Sequence, residues 1–236
     1  MSQALWPRVA QWVVALTLPL VLLATNVRIV TGPWFVRWEY GKEGFPVDPY
    51  GFSMEERTRL AEVCVRFLAQ GADISLLEDL RLPSGARAFN ERELSHMEDV
   101  QVVYNGLMVV GFAVALVLLG GSLALYAPER TRWRVPRAYA YGGGITLGLL
   151  VGVGLLMLFG WETFFTGFHR IFFEGDSWLF SYSDTLIRLF PPRFWMDVAI
   201  AIVGLIAVEA GLIGVAGWLS ARGSMKRVRG GTDELS

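Results

Sequence analysis

The chain has 236 residues, 53% of them hydrophobic, with a mean hydropathy of +0.43 and a net charge of −1. This composition is too apolar for an ordinary soluble domain and predicts a membrane protein. The near-neutral charge provides no basic field for nucleic acid, which excludes it as a partner. One cysteine and two histidines far apart in the sequence provide no zinc-type spacing.

Four apolar runs are each long enough to cross a bilayer as a helix. They are Val9–Val27, Val102–Tyr126, Ala138–Trp161 and Val198–Ala221. No small-residue cleavage site stands clearly after the first run, so we expect an uncleaved transmembrane helix and not a signal peptide.

Basic residues are concentrated in the loop between the second and third runs and in the C-terminal tail. They are Arg130, Arg132, Arg134 and Arg137 in the loop, and Arg222, Lys226, Arg227 and Arg229 in the tail. Lys and Arg are enriched on the cytoplasmic side of membrane proteins, so loop and tail are predicted to be cytoplasmic. With four spans, both termini are then cytoplasmic and the other polar segments are extracellular.

The predicted fold is therefore an all-α membrane protein, with four transmembrane helices and an extracellular, mainly helical cap. The predicted segments are a first transmembrane helix (1–30), an extracellular cap (31–99), two transmembrane helices with the basic loop (100–161), an outer aromatic segment (162–197), and a fourth transmembrane helix with the tail (198–236).

Within the cap, residues 31–52 are rich in Gly, Pro and aromatics, which indicates extended or turn structure. A helix is predicted over 53–70, because Ser53 and Glu56 have capping-box spacing and Gly71 follows as a stop. Cys64 falls on the apolar stripe of this helix, so we expect it in the core and not as a nucleophile.

The clearest helix start in the chain is at Asn90, the predicted N-cap, with Glu93 placed to complete a capping box. No stop signal follows until about Tyr126, so one helix is predicted to run from the cap into the second span. It carries the motif HMEDV, in which His96 and Asp99 lie on one face. Asp99 either holds the imidazole in one tautomer or only solvates the helix end.

Residues 161–182 hold nine aromatics in 22 residues, with His169 in the middle. If this stretch is helical, Phe165 lies one turn before His169, and Phe172 and Phe173 lie one turn after it. Such surroundings disfavour the charged imidazole and leave a neutral ring able to accept a proton. The alternative is an interfacial aromatic belt that happens to contain a histidine.

Three further features concern the last two spans and the segment between them. Asp184 is placed to cap a short helix over 185–190. The spacing of Gly144, Gly148 and Gly152 predicts close helix contact. Glu209 lies mid-span, where it is either a proton or ion site or a protonated or hydrogen-bonded structural residue; we favour the structural interpretation.

Two histidines at the outer membrane surface, with no nucleophilic Ser or Cys motif, indicate proton transfer. One neutral imidazole can act as general base while the other donates to a developing oxyanion. A metal site is the competing interpretation, with His96, His169 and a carboxylate such as Asp99 or Asp184 as ligands.

The motifs NERELSHMEDV, FHRIFFEGDSWLF and DTLIRLFPPRFW, in this order among four spans, resemble the bacterial lipoprotein intramolecular transacylase (Lit-type) family. The resemblance implies an acyltransferase with an extracellular cap and two catalytic histidines, here His96 and His169. The family's reaction moves the sn-2 acyl chain of a diacylglyceryl lipoprotein to the amino group of its own N-terminal cysteine, giving a lyso-form lipoprotein. No external cofactor is implied.

An aromatic enclosure suits this chemistry, because it folds the lipid back on the cysteine and excludes water. The candidates for that wall are Trp161, Phe165, Phe172, Phe173 and Trp178. Asp99 and Asp184 are additional candidates for positioning the substrate. Two other function classes stay open: an accessory membrane protein whose cap binds lipid or a partner, and a metal-dependent membrane hydrolase.

Overall fold

The computed structural model describes residues 5–173, 175 and 177–233, with side chains described through residue 223 apart from Phe159. In this part of the chain the secondary structure is helical, except for one isolated bridge between Arg81 and Arg87. The helices are α1 (Trp6–Val30), α2 (Pro33–Tyr40), α3 (Met54–Gln70), α4 (Ser75–Glu78), α5 (Glu91–Tyr126), a 3₁₀ turn (Glu129–Thr131), α6 (Arg134–Phe159), α7 (Trp161–Phe172), α8 (Thr185–Leu189) and α9 (Pro192–Asp233).

Four of these helices, α1, α5, α6 and α9, are long and apolar enough to cross a membrane. The predicted all-α membrane fold is thereby confirmed. The last charged residue of α5 is Asp99, so the charged first turns of that helix precede the apolar segment that begins at Val102. The tail residues Lys226, Arg227 and Arg229 lie outside the described side chains.

The chain divides into two compact units. The bundle unit comprises Met1–Asn26, Val109–Leu155 and Val203–Ser236, and the cap unit comprises Val27–Met108 and Leu156–Ile202. Helices α1, α5 and α9 each contribute residues to both units.

Close helix contact in the bundle unit occurs at other glycines than those predicted. A Cβ atom added at Gly143 would lie 2.6 Å from the carbonyl oxygen of Ala210, so only glycine fits between α6 and α9 at this point. Added Cβ atoms at Gly144, Gly148 and Gly152 would meet nothing within 4 Å, so the prediction for these three was wrong. Neighbouring positions on a helix differ by about 100°, which places the contact face one residue away from the predicted one.

Glu209 is hydrogen-bonded within the bundle unit. The Nδ2 of Asn26, a fully buried side chain, donates to Glu209 Oε2 (2.7 Å) and to the Leu22 carbonyl (2.9 Å). The Oδ1 of Asn26 has no partner among the described residues. Glu209 is thus hydrogen-bonded, as the structural interpretation expects, and its role stays a prediction.

The core of the cap unit is built on α3. Ser53 Oγ accepts from the Glu56 amide (3.1 Å), and Gly71 ends the helix in the left-handed region at φ 62°. The Glu56 carboxylate pairs with Arg59 (2.8 Å) and not with the N-cap amide. Cys64 is 1% exposed in this core, and burial raises the pKa of its thiol, so the prediction of a core cysteine is confirmed.

The prediction of extended structure over 31–52 was wrong for the eight residues of α2. Pro33 occupies the first helical turn, where a missing amide proton is no loss and the fixed φ favours the helix. Phe35, Val36 and Tyr40 are buried from α2, so packing on the cap core stabilises a helix that its composition does not indicate.

At the start of α5, Asn90 Oδ1 accepts from the Glu93 amide (3.0 Å) and Glu93 Oε2 accepts from the Asn90 amide (2.8 Å). The predicted capping box is therefore complete. The other oxygen of Glu93 accepts from the Leu186 amide (2.7 Å) and so caps α8 as well. Asp184 stands at the N-cap position of α8, but its carboxylate bonds the Ser181 amide and Arg92 instead.

Candidate active site

The two histidines come together inside the cap unit, His96 from α5 and His169 from α7. Their ring centroids are 6.3 Å apart and the ring planes differ by 18°. This distance is about twice the length of a hydrogen bond. The structure therefore brings the two imidazoles together from different helices, with their ring planes nearly parallel.

Aromatic rings line this histidine pair. Phe173 contacts both imidazoles, with centroid distances of 4.9 Å to His96 and 5.4 Å to His169. Phe165 and Trp178 lie 4.1 Å and 4.9 Å from His169. These three are wall candidates from the sequence, and the structure brings them to the site.

The other two wall candidates lie elsewhere. Trp161 packs on Phe165 at 6.0 Å and has no ring contact with either histidine among the described residues. Phe172 is 47% exposed and packs on Phe168 at 4.8 Å. Phe173, which follows the end of α7 with extended backbone, is the residue whose ring contacts both histidines.

Two residues at the site escaped sequence reasoning. Phe180 lies 5.3 Å from His96, and Phe168 lies 5.6 Å from His169. Both belong to the aromatic stretch 161–182, which was the available signal. Phe168 directly precedes His169 within α7, whereas selecting Phe180 required the chain path after α7, which helical spacing does not supply.

Burial controls the protonation of both imidazoles. His96 is 8% exposed, and burial together with the neighbouring His169 lowers its pKa to about 4. Burial also lowers the pKa of His169, and a hydrogen bond to the Phe165 carbonyl opposes this in part. Both rings are therefore neutral at neutral pH.

The hydrogen bond of His169 fixes its tautomer. The distance from His169 Nδ1 to the Phe165 carbonyl oxygen is 2.8 Å. A carbonyl oxygen only accepts, so Nδ1 carries the proton and Nε2 of the neutral ring has a free lone pair. In contrast, Nδ1 of His96 is buried with no partner in the described part of the chain.

The candidate carboxylates are not gathered with the histidines. Asp99 is exposed and forms no hydrogen bond with His96 among the described residues, so the tautomer-holding interpretation of Asp99 is not supported. Asp184 accepts from Asn90 and Arg92 and stays at the start of α8. No group of three His, Cys, Asp or Glu that would hold a metal occurs within 5–173, 175 and 177–233.

Comparisons with known proteins agree with this arrangement. The family model described as "Lipoprotein intramolecular transacylase Lit" matches residues 12–195. A protein from Aquifex aeolicus is 30% identical over 208 residues, covering 86% of this chain and 93% of that protein.

Solved structures of the membrane integral lipoprotein intramolecular transacylase Lit from Bacillus cereus share the fold. One has a TM-score of 0.73 at 20% identity and covers 98% of each chain. A second, in which one histidine is replaced by arginine, has a TM-score of 0.73 at 19% identity and covers 94% of each chain. The match of the family model over most of the chain shows that this protein belongs to the lipoprotein intramolecular transacylase Lit family of membrane acyltransferases.

Proposed function

We propose that this protein moves the sn-2 acyl chain of a diacylglyceryl lipoprotein to the amino group of that lipoprotein's N-terminal cysteine, by two-histidine acid/base catalysis. The product is a lyso-form lipoprotein. The observation that carries the proposal is a pair of neutral imidazoles 6.3 Å apart, one of them with a fixed tautomer.

His169 is the general base. Its Nδ1–H is held by the Phe165 carbonyl, so Nε2 accepts the proton that the attacking amine loses. The nucleophile belongs to the substrate, so the enzyme needs a base and no nucleophile of its own. The buried, unreactive Cys64 agrees with this division of labour.

His96 stabilises the oxyanion. Its lowered pKa keeps the ring neutral, and a neutral imidazole N–H is a hydrogen-bond donor. A donor fixed by packing against Phe173 and Phe180 needs no reorganisation when charge develops on the ester oxygen.

The bonds balance within one substrate molecule. The cysteine nitrogen attacks the ester carbonyl carbon, and a C–N bond forms as the C–O bond to glycerol breaks. The proton taken by His169 Nε2 passes to the leaving glycerol oxygen, so the products are an amide and an alcohol. Because the attack is intramolecular, positioning contributes much of the barrier reduction, up to roughly 7–11 kcal/mol in well-oriented cases.

The aromatic wall directs the reaction toward the amine. Phe173 contacts both imidazoles and is itself buried, and Phe165 and Trp178 cover His169. Water between the rings would hydrolyse the ester instead of transferring it, and this enclosure keeps water out.

We assign the enzyme to the bacterial cell membrane as a multi-pass protein, with both termini in the cytoplasm and the histidines on the extracellular face. The support is the concentration of basic residues in the loop after α5 and in the tail. Both histidines lie at the opposite ends of the adjoining spans. The partners are then a diacylated lipoprotein and membrane lipid.

The test is co-expression with a diacylated model lipoprotein in a host without N-acylation, followed by mass spectrometry of the N-terminal lipopeptide. We expect an unchanged total mass with one acyl chain on the cysteine nitrogen. A mass lower by one acyl chain would mean hydrolysis. If both acyl chains stay on the glycerol while the protein is folded in the membrane, the result would favour an accessory lipid-binding protein.

A further inference from the structure

The hydroxyl of Tyr104 is a buried polar group of α5 that neither the helix caps nor the proposed chemistry uses. Tyr104 is 8% exposed, and its hydroxyl has no hydrogen-bond partner in the described part of the chain. An unpartnered hydroxyl that is removed from water costs free energy, so natural structures retain few of them. One explanation for such a group is that its partner arrives with a ligand.

Tyr40 shows how a structural tyrosine behaves in the same unit. It is 5% exposed, and its hydroxyl donates to the Leu189 carbonyl at 2.5 Å. The cap unit therefore satisfies a buried tyrosine when the role of that tyrosine is packing. Tyr104 is buried to a similar extent, but its hydroxyl has no hydrogen-bond partner among the described residues.

Tyr104 is on the membrane side of the histidine pair. It follows His96 by eight residues of one helix, which is a rise of about 12 Å and a rotation of about 80°. Side chains of a helix lean toward its N-terminus, so the Tyr104 ring extends toward His96. An oxygen of a lipid chain that enters from the bilayer would meet Tyr104 before it reaches the imidazoles.

A cation lies close to this hydroxyl. Arg28, in the last turn of α1, is near enough to Tyr104 for an electrostatic interaction. Arg28 is exposed and makes no hydrogen bond or ion pair with another described residue. Tyr104 and Arg28 thus offer two hydrogen-bond donors whose acceptor is not supplied by the described protein.

An ester carbonyl oxygen suits these donors. It is an uncharged acceptor that lies at the boundary between hydrocarbon and headgroup, the level at which the second span begins. A diacylglyceryl group carries two such carbonyls on adjacent carbons, and the reaction uses one of them. When the reacting ester carbonyl lies at the histidines, the second ester carbonyl needs a binding site of its own.

We propose that Tyr104 and Arg28 hold the ester that is not transferred, and thereby determine which acyl chain reaches the histidines. This inference rests on the proposed function. Tyr104 and Arg28 are positioning residues, since they touch the substrate away from the bond that breaks. Their removal changes the choice of chain, and loss of packing alone does not.

The experiment uses the full-length membrane protein and a lipopeptide with acyl chains of different length at its two ester positions. Mass spectrometry measures which chain is on the cysteine nitrogen. For the wild type we expect one chain. For Tyr104→Phe and Arg28→Gln we expect the ratio of the two products to shift by about tenfold toward the other chain, the scale of one lost hydrogen bond.

Tyr40→Phe is the matched control, because it also removes one buried tyrosine hydroxyl. We expect a lower unfolding temperature and an unchanged product ratio. If Tyr104→Phe slows transfer but keeps the wild-type ratio, its role is structural and the inference is wrong. If the wild type transfers neither chain, the proposed function fails and this inference fails with it, and that result differs visibly from an unchanged ratio.

Discussion

Two titratable side chains, one in each unit of the molecule, differ in their partners. In the bundle unit, Glu209 accepts a hydrogen bond from the buried amide of Asn26. In the cap unit, His96 is buried among aromatic rings, and its Nδ1 has no partner among the described residues. The hydrogen bond of Glu209 connects α9 to α1, whereas His96 keeps a ring nitrogen that the proposed mechanism uses.

The sharpest test of this contrast is removal of the imidazoles. We expect His169→Ala and His96→Ala each to lower the transacylation rate by roughly 10²–10⁴-fold, because in the proposed mechanism each loses a group that acts on a proton or an oxyanion in the transition state. The rate is measured from the appearance of N-acylated lipopeptide. Glu98→Gln, an exposed neighbour on α5, is the control. Full activity in a histidine variant would remove that residue from the mechanism.

Protonation gives the second test. Because burial lowers the pKa of His96 to about 4, its ring is expected to stay neutral at pH 5.5. In unfolded chains histidine titrates near 6.5, so the unfolded state binds more protons below that pH. Folding stability then falls as pH drops from 6.5 toward 4, by at most about 1.4 kcal/mol per pH unit for this group. Titration of ¹⁵N-labelled imidazoles by NMR measures the pKa of His96. A pKa near 6.5 would contradict the enclosed site.

In the bundle unit, we expect substitution of Gly143 to lower stability more than substitution of Glu209. Gly143→Ala puts a methyl group 2.6 Å from the Ala210 carbonyl oxygen, so we expect a loss of about 1–3 kcal/mol from overpacking. Gly144→Ala, one residue further, meets nothing within 4 Å and is the matched control. Thermal unfolding in detergent compares the two. Equal stability of both variants would show that α6 and α9 do not approach as described.

Neighbouring sequence signals differ in what they could predict. The start of α5 was predictable because Asn90 and Glu93 satisfy each other locally. The membrane spans were predictable from length and apolarity. The face of α6 that contacts α9 was not, because Gly143 and Gly144 are alike in sequence and only the partner helix distinguishes them.

The residues of the candidate site also differ in whether the sequence could predict them. The sequence indicated His96, His169 and the ring of Phe165, which lies one turn from His169 on the same helix. It missed Phe180, whose position depends on the chain path after α7, and it included Phe172, which packs on Phe168 of the same helix and not on a histidine. The partners of Asp184 were also unpredictable, because they come from the start of α5.

Loss of the α5 cap should have a smaller effect than overpacking. Asn90→Ala removes the acceptor of the Glu93 amide, so we expect a loss of about 1 kcal/mol. The free energy of unfolding is measured in detergent by chemical denaturation. Asn90→Ser, which keeps an uncharged acceptor at the N-cap, should recover most of the loss. If Asn90→Ser is as unstable as Asn90→Ala, the contribution comes from another contact of Asn90, such as the hydrogen bond that its Nδ2 donates to Asp184.

The smallest effect is expected at Glu209. Glu209→Gln keeps an oxygen that accepts from Asn26 Nδ2, so activity should stay within about twofold and stability within about 0.5 kcal/mol. The same transfer assay and unfolding measurement apply. A large loss of activity with normal stability would make Glu209 a proton site and remove the contrast between the two regions.

The shared carboxylate of Glu93 has a consequence for membrane insertion. One of its oxygens accepts a hydrogen bond from the Asn90 amide at the start of α5. The other accepts from the amide of Leu186, which follows 93 residues later in the chain. During synthesis the second span is therefore available well before this buried acid has its full set of donors. The third span and the segment after it must be synthesised before the last donor is present, so the cap unit, which holds the histidines, is completed late in synthesis.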